Sequence, residues 1–281
     1  MVQLDSSLYH QTLQLVSNPS DATIHRTASE QRKARKAQPR AKTADRVARI
    51  LDDIEDDYGI QLSEEQLWRS LKRSSVTREA RQWLWMVIHD AYMVGTHWLR
   101  PNMRAELQER ASCKACGQVE SMEHIIFTCT AVGRECIWHL MGDALTRAGQ
   151  KDYDPTWGNI IGAACVRMQN QAGSRNLYEE ERWAVLAIES AHLIWKLRCE
   201  RVIANEGAEF TEREVTNRWY TALGRRLDVE RRATMLTPGK KGSARAKRID
   251  GVWRPLLEDD GLDSHDWVTD NGVLVGIKRG R

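Results

Sequence analysis

The chain has 281 residues, with 42 Lys and Arg against 39 Asp and Glu, a net charge of +3. That length can bury a core of one large or two small domains, and so balanced a charge excludes a simple polycation. No stretch has the apolar length of a membrane span, and the opening MVQLDSSLYH lacks the basic and apolar regions of a secretory signal. The expectation is therefore an intracellular protein, nuclear or cytoplasmic, with no membrane partner. Eleven Trp against two Phe mark tryptophan as the anchor of core and interface.

Residues 1–60 read as an N-terminal helix followed by a basic and then an acidic linker. Leu4, Leu8, Leu13 and Val16 have amphipathic spacing up to the turn at Ser17-Asn18-Pro19-Ser20. Residues 25–49 carry Arg26, Arg32, Lys33, Arg35, Lys36, Arg40, Lys42, Arg46 and Arg49 with little but alanine to bury. Such a segment is expected to be a flexible arm that a phosphate backbone attracts by counterion release. The bland alternatives are a solvated linker or a nuclear-import signal. The acids Asp52, Asp53, Glu55, Asp56 and Asp57 follow along one helix. They do not converge from separate strands, which argues against a two-metal nuclease.

Residues 61–150 read as helices plus a zinc knuckle. Ser63 and Thr77 are N-cap candidates, and Trp83, Leu84, Val87, Ile88, Ala91 and Val94 predict a helix stopping near Gly95. His89 and Asp90 are adjacent on that helix and point apart, so they form no proton relay. Arg100, Arg104 and Arg110 give a basic approach to the window ASCKACGQVESMEHIIFTC. There Cys113, Cys116, His124 and Cys129 have the pattern C-x2-C-x7-H-x4-C, which fits Zn²⁺ with all four tetrahedral positions closed by protein. Gly117 suits the turn after Cys116, and Ser121 suits the cap of a short helix bearing His124. Ligands five apart do not share one face of a regular α-helix, so the chain is expected to unwind before Cys129. The other cysteines, Cys136 and Cys165 among them, read as reduced packing residues.

That window, with RQWLWMVIHDAYMVGTHW before it and ESAHLIWKLRCERVI, NRWYTALGRRL and DWVTDNGVLVGI after it, resembles the zinc-binding region of reverse transcriptases from non-LTR retrotransposons, in the fungal form. The resemblance runs from about Leu67 to Ile277. It implies a part that follows polymerase and ribonuclease H domains and carries neither catalytic carboxylate set. The Cys116 to His124 gap is longer than in a retroviral nucleocapsid knuckle, which weakens any implied base stacking of that kind.

Residues 151–232 read as a helical second half. The segment from Gly149 to Gly162 looks like a loop, and a long helix from Glu179 to about Ala204 is expected to be central. Glu189 and His192 lie three apart on it, but no second such pair exists to complete a di-metal site. Thr211 with Glu214 forms a capping box for the next helix. Residues 233–281 read as a basic loop and an irregular tail. Lys240, Lys241, Arg245, Lys247 and Arg248 form a second flexible basic run, without the spacing of a phosphate-binding loop. The sequence thus predicts a mainly α protein: a helical domain around a small zinc knuckle, with a basic flexible N-terminal arm and an irregular C-terminal tail. The expected activity is non-catalytic. The expected partner is RNA or DNA, bound weakly and without sequence preference through both basic runs. A helical scaffold for a protein partner, or an accessory fragment of the enzyme, is the alternative.

Overall fold

Apolar residues spaced three and four apart set most of the helices, and polar side chains set where they begin. The computed structural model describes residues 41–150, 154–170, 172–258, 265–270 and 275–279. Contacts divide the chain after Ala44; of the first unit only residues 41–44 are described. The arm residues Arg26, Arg32, Lys33, Arg35, Lys36 and Arg40, and the helix expected near the N-terminus, lie outside the described residues.

The protein is mainly helical, and no β-strand forms among the described residues, only three isolated antiparallel bridges. Helix α1 spans Ala41–Tyr58. Residues 41–49, expected to belong to a flexible arm, are therefore helical. Val47, Ile50 and Ile54 recur every three or four residues and bury one face, which fixes the helix. Helix α2, Glu64–Ser70, starts at Ser63, whose hydroxyl accepts from the Gln66 amide while Gln66 bonds back to Ser63. Helix α3, Arg78–Ile88, starts at Thr77, which accepts from Ala80 N. It does not run to Gly95: Asp90 takes a left-handed φ of 49°, and Gly95 instead opens a 3₁₀ turn, Gly95–Leu99. A short helix α4 follows at Ala105–Gln108.

Helix α5, Val132–Arg147, crosses the longest helix, α7, Leu177–Ile203. Between them the expected loop contains a helix, α6, Trp157–Ile161, capped by Thr156 and Asn159. The acidic patch explains it: Asp53 accepts from Gly158 N at 2.7 Å, and Asp57 accepts from Thr156 and Asn159 at 3.1 and 3.2 Å. These carboxylates sit at the amide end of α6, where a helix favours negative charge.

Helix α7 carries more than an apolar stripe. From Trp183 to Leu197 it is covered on nearly all sides, as a central helix must be. Helix α8, Glu212–Met235, begins at the capping box of Thr211 and Glu214. Helix α9 spans Gly239–Trp253, so the second basic run is not a flexible loop. Gly242, Ala246, Ile249 and Trp253 are spaced by four, three and four, and bury one face. The buried Arg182 donates to the carbonyls of Gly251 and Val252, closing the end of α9.

The described residues of the tail are irregular as expected. They are pinned by the bridge between Leu257 and Ile277 and by Arg231, which donates to the carbonyls of Trp267 and Asp270. Tryptophans anchor the core, and four of them find partners for their N–H groups: Trp183 to Asn159 O, Trp219 to Ser190 Oγ, Trp253 to Glu230, Trp267 to Asp250, while the buried N–H groups of Trp83 and Trp157 have none among the described residues. One buried cluster runs from Val47 to Ile277, across the boundaries at 150 and 232. No helix among the described residues is long and apolar enough to cross a membrane.

Candidate metal centre

The site is built on a hairpin and a widened helical turn. The bridge between Ser112 and Val119 closes the hairpin, and Cys113 N donates to Gln118 O while Gly117 N donates to Cys113 O. Gly117 takes φ +76°, which lets the chain turn back directly after Cys116. Ser121 Oγ accepts from His124 N at 2.9 Å, capping the next turn as expected.

The turn itself is a π-helical segment, His124–Thr128. Its i→i+5 hydrogen bond joins Cys129 N to His124 O at 2.7 Å. The chain does not simply unwind before Cys129. It widens, and the widening brings ligands five apart to one side. Met122, Ile125 and Ile126 turn inward and join the main core, so the knuckle is embedded in the helical body.

Cys113, Cys116, His124 and Cys129 converge: their ligand atoms all lie within 4.8 Å of one another, in a group that can hold a metal ion. Cys113 Sγ is 3.6 Å from Cys129 Sγ, and Cys116 Sγ is 3.4 Å from His124 Nε2. A tetrahedron with Zn–S bonds of about 2.3 Å has S···S edges of roughly 3.8 Å, so the side chains stand at ligand spacing. His124 Nδ1 lies 3.2 Å from Thr128 Oγ1. The tautomer that donates Nδ1–H to Thr128 leaves the Nε2 lone pair facing Cys116, the arrangement a metal-binding imidazole requires. Six free cysteines and no disulfide match the reduced state expected for them.

Burial raises Cys129 to about 11. Burial opposes charge at Cys113 too, but amides of Ala115 and Cys116 and the neighbouring thiols outweigh it and bring that thiol below its usual range. Two sulfurs at this distance cannot both be anionic cheaply without a cation between them. Burial also holds His124 below the usual histidine range, in the neutral form that ligates.

Arginines surround the knuckle. Arg198 pairs with the buried Glu120, Arg201 pairs with Glu209, and Arg134 donates to the carbonyls of Cys129 and Phe127. Arg49 grips Glu123 with two bonds of 2.8 Å, and this bond holds the Glu123 carboxyl below its usual range. Arg46 pairs with Asp90, whose other oxygen meets His97 at 3.2 Å. Arg110 stacks over Trp98, 5.4 Å from the ring centre. None of these contacts was legible: Arg201 lies 88 residues from Cys113 in the chain.

The basic residues divide. Lys42, Lys240, Lys241 and Lys247 are exposed, while Arg245 is half-buried. Arg248 does not face solvent as a free cation: it pairs with Glu181 and donates to Ser74 Oγ at 3.2 Å. Arg226 pairs with Glu230 in the core. Glu189 and His192 do not make a metal site either: Glu189 faces Arg226 at 3.9 Å, and His192 stacks on Trp83.

No protein-family model, no curated protein and no solved structure matches the chain.

Proposed function

We propose that the chain is a zinc-stabilised, non-catalytic helical module that binds RNA or DNA weakly and without sequence preference. We read it as derived from the C-terminal part of a retrotransposon reverse transcriptase polyprotein. The observation that carries the zinc reading is the convergence of three thiols and one imidazole within 4.8 Å. A soft S₃N set in tetrahedral spacing suits Zn²⁺, and four protein ligands leave no open position for substrate, so the metal's role is structural. The support for nucleic acid is a local excess of exposed basic charge. Exposed Lys240, Lys241 and Lys247 on α9 lie close in sequence to exposed Arg225 and Arg232 on α8. The arm residues 26–40 add a further local excess of basic charge.

A second reading, a scaffold for a protein partner, is favoured by Val229 and Leu236. They are 63 % and 84 % exposed, Val229 in the last turns of α8 and Leu236 at its C-cap seven residues on. Salt dependence separates the two. Binding through about five phosphates weakens by roughly two to three decades between 50 and 200 mM salt. Replacing Lys240, Lys241 and Lys247 by Gln should lower the slope of log affinity against log salt by about one per contacting lysine, with zinc content unchanged. No binding to single- or double-stranded RNA or DNA at low salt would reject the nucleic-acid reading and leave the scaffold.

A further inference from the structure

The strongest unassigned feature is the buried guanidinium beside the candidate metal centre. Arg201 lies near the end of α7, its side chain only 3 % exposed. One nitrogen pairs with Glu209 and another approaches Cys113 Sγ at 3.9 Å. Its Nε is buried with no hydrogen-bond partner. A buried guanidinium left partly unsatisfied is costly, and an arginine in such a place needs a compensating charge.

Counting charge around the knuckle shows what that charge is. Arg134, Arg198 and Arg201 bring three positive charges, and Glu120 and Glu209 bring two negative ones. One positive charge is left over: Arg134 meets only carbonyls, and the Glu209 carboxylate facing Arg201 is 36 % exposed and screened by solvent. With protonated thiols and a neutral imidazole the ligand set is uncharged, and the excess stands. With a divalent ion, three thiolates and a neutral imidazole the centre carries −1, and the excess is cancelled. The apparent disadvantage of the metal-free arrangement is the complement of the loaded one.

We propose that Arg201 is the outer-sphere cation of the metal centre: held by Glu209 on one side and facing Cys113 Sγ on the other, it shares with Arg134 the balancing of the single negative charge of a divalent ion bound by Cys113, Cys116, His124 and Cys129. The inference rests on the metal reading above and extends it to a residue that no ligand pattern contains. Arg201 also joins the centre to the α7–α8 connection. Gly207 in that connection packs against Lys114, so a Cβ there would stand 3.1 Å from the lysine chain. Arg201 itself accepts the Gly207 amide on its carbonyl at 2.8 Å.

The test is zinc affinity by competition with a chromophoric chelator, on the full chain and on Arg201→Met, Arg201→Gln and Arg201→Lys. Outer-shell partners of metal ligands typically carry 10- to 100-fold in affinity, so the Met and Gln variants should bind zinc about 10- to 100-fold more weakly. The Lys variant, which keeps the charge, should recover most of the loss. Cobalt substitution gives a readout that mere packing would not move. The thiolate-to-cobalt charge-transfer band should shift in Met and Gln and return towards wild type in Lys. Wild-type affinity and an unshifted band in Met or Gln would overturn the proposal. So would a Met and a Gln variant that both fail to fold under metal-free conditions in which the wild type folds, since Arg201 would then belong to the core alone. A wild-type chain that binds no zinc would instead reject the metal reading itself.

Discussion

Gly95→Ala tests how the knuckle is seated on the helical body. Gly95 takes φ +53°, and a Cβ there would stand 1.6 Å from the carbonyl oxygen of Glu120 and 2.6 Å from its carbon. Favourable contact between such atoms lies near 3.5 Å, so the backbone of one segment must move by about 2 Å. The obstacle is main chain, which has no rotamer to escape into. Left-handed φ adds about 1–2 kcal/mol for a residue with a Cβ, and overpacking of this kind adds typically 1–3. The expected loss is about 2–5 kcal/mol. Glu120 lies between Cys116 and His124, and its amide donates to Ala111 O at 2.8 Å, so displacement there also disturbs the ligands. Gly117→Ala is the control. It has φ +76° with nothing within 4 Å of the added carbon, so only the conformational cost of about 1–2 kcal/mol applies. The assay is denaturant unfolding at saturating zinc, with zinc affinity by chelator competition. A Gly95→Ala protein within 1 kcal/mol of wild type, or less damaged than Gly117→Ala, would refute the packing argument.

Thr128→Val keeps the shape beside His124 but removes the partner of Nδ1, and zinc affinity should fall about 10-fold or more; chelator competition checks it. His192 is buried against Trp83, and burial, then the Lys196 charge, push it down to about 3. An unfolded histidine takes its proton near 6.5, so stability present at neutral pH is lost as pH falls from about 6.5 towards 3, by up to about 1.4 kcal/mol per unit. His192→Phe should therefore gain about 2 kcal/mol relative to wild type between pH 6.5 and 5 in urea unfolding; a difference independent of pH would contradict the assignment.

Signals that act within a few residues were legible in the sequence. Ser63, Thr77 and Thr211 mark helix starts because their hydroxyls reach amides two or three residues on. The tetrad was legible because its ligands lie within one short window. Signals that depend on distant partners were not. Residues 157–161 look like loop until Asp53 arrives from α1 to accept the Gly158 amide and Asp57 to accept from the Asn159 side chain. Helix α9 hides its periodicity because Gly242 and Ala246 do the burying, and neither counts as a large apolar residue. A break drawn at residue 49 split the spacing of Val47 from Ile50 and Ile54 and concealed the first half of α1, although the acids at 52–57 read as lying along a helix. The π turn escaped because a 3.6-residue period has no place for a ligand pair five apart. Arg201 has no local signal at all; only the fold brings it to Cys113.

The most direct test is the metal content of the purified chain, by native mass spectrometry and elemental analysis, beside a Cys116→Ser variant. The account predicts one zinc per wild-type chain, a substoichiometric variant, and a wild type that loses thermal stability when a chelator strips the ion. A metal-free wild type whose stability is unmoved by zinc or chelator, or a variant that keeps full zinc and an unchanged Tm, would contradict it.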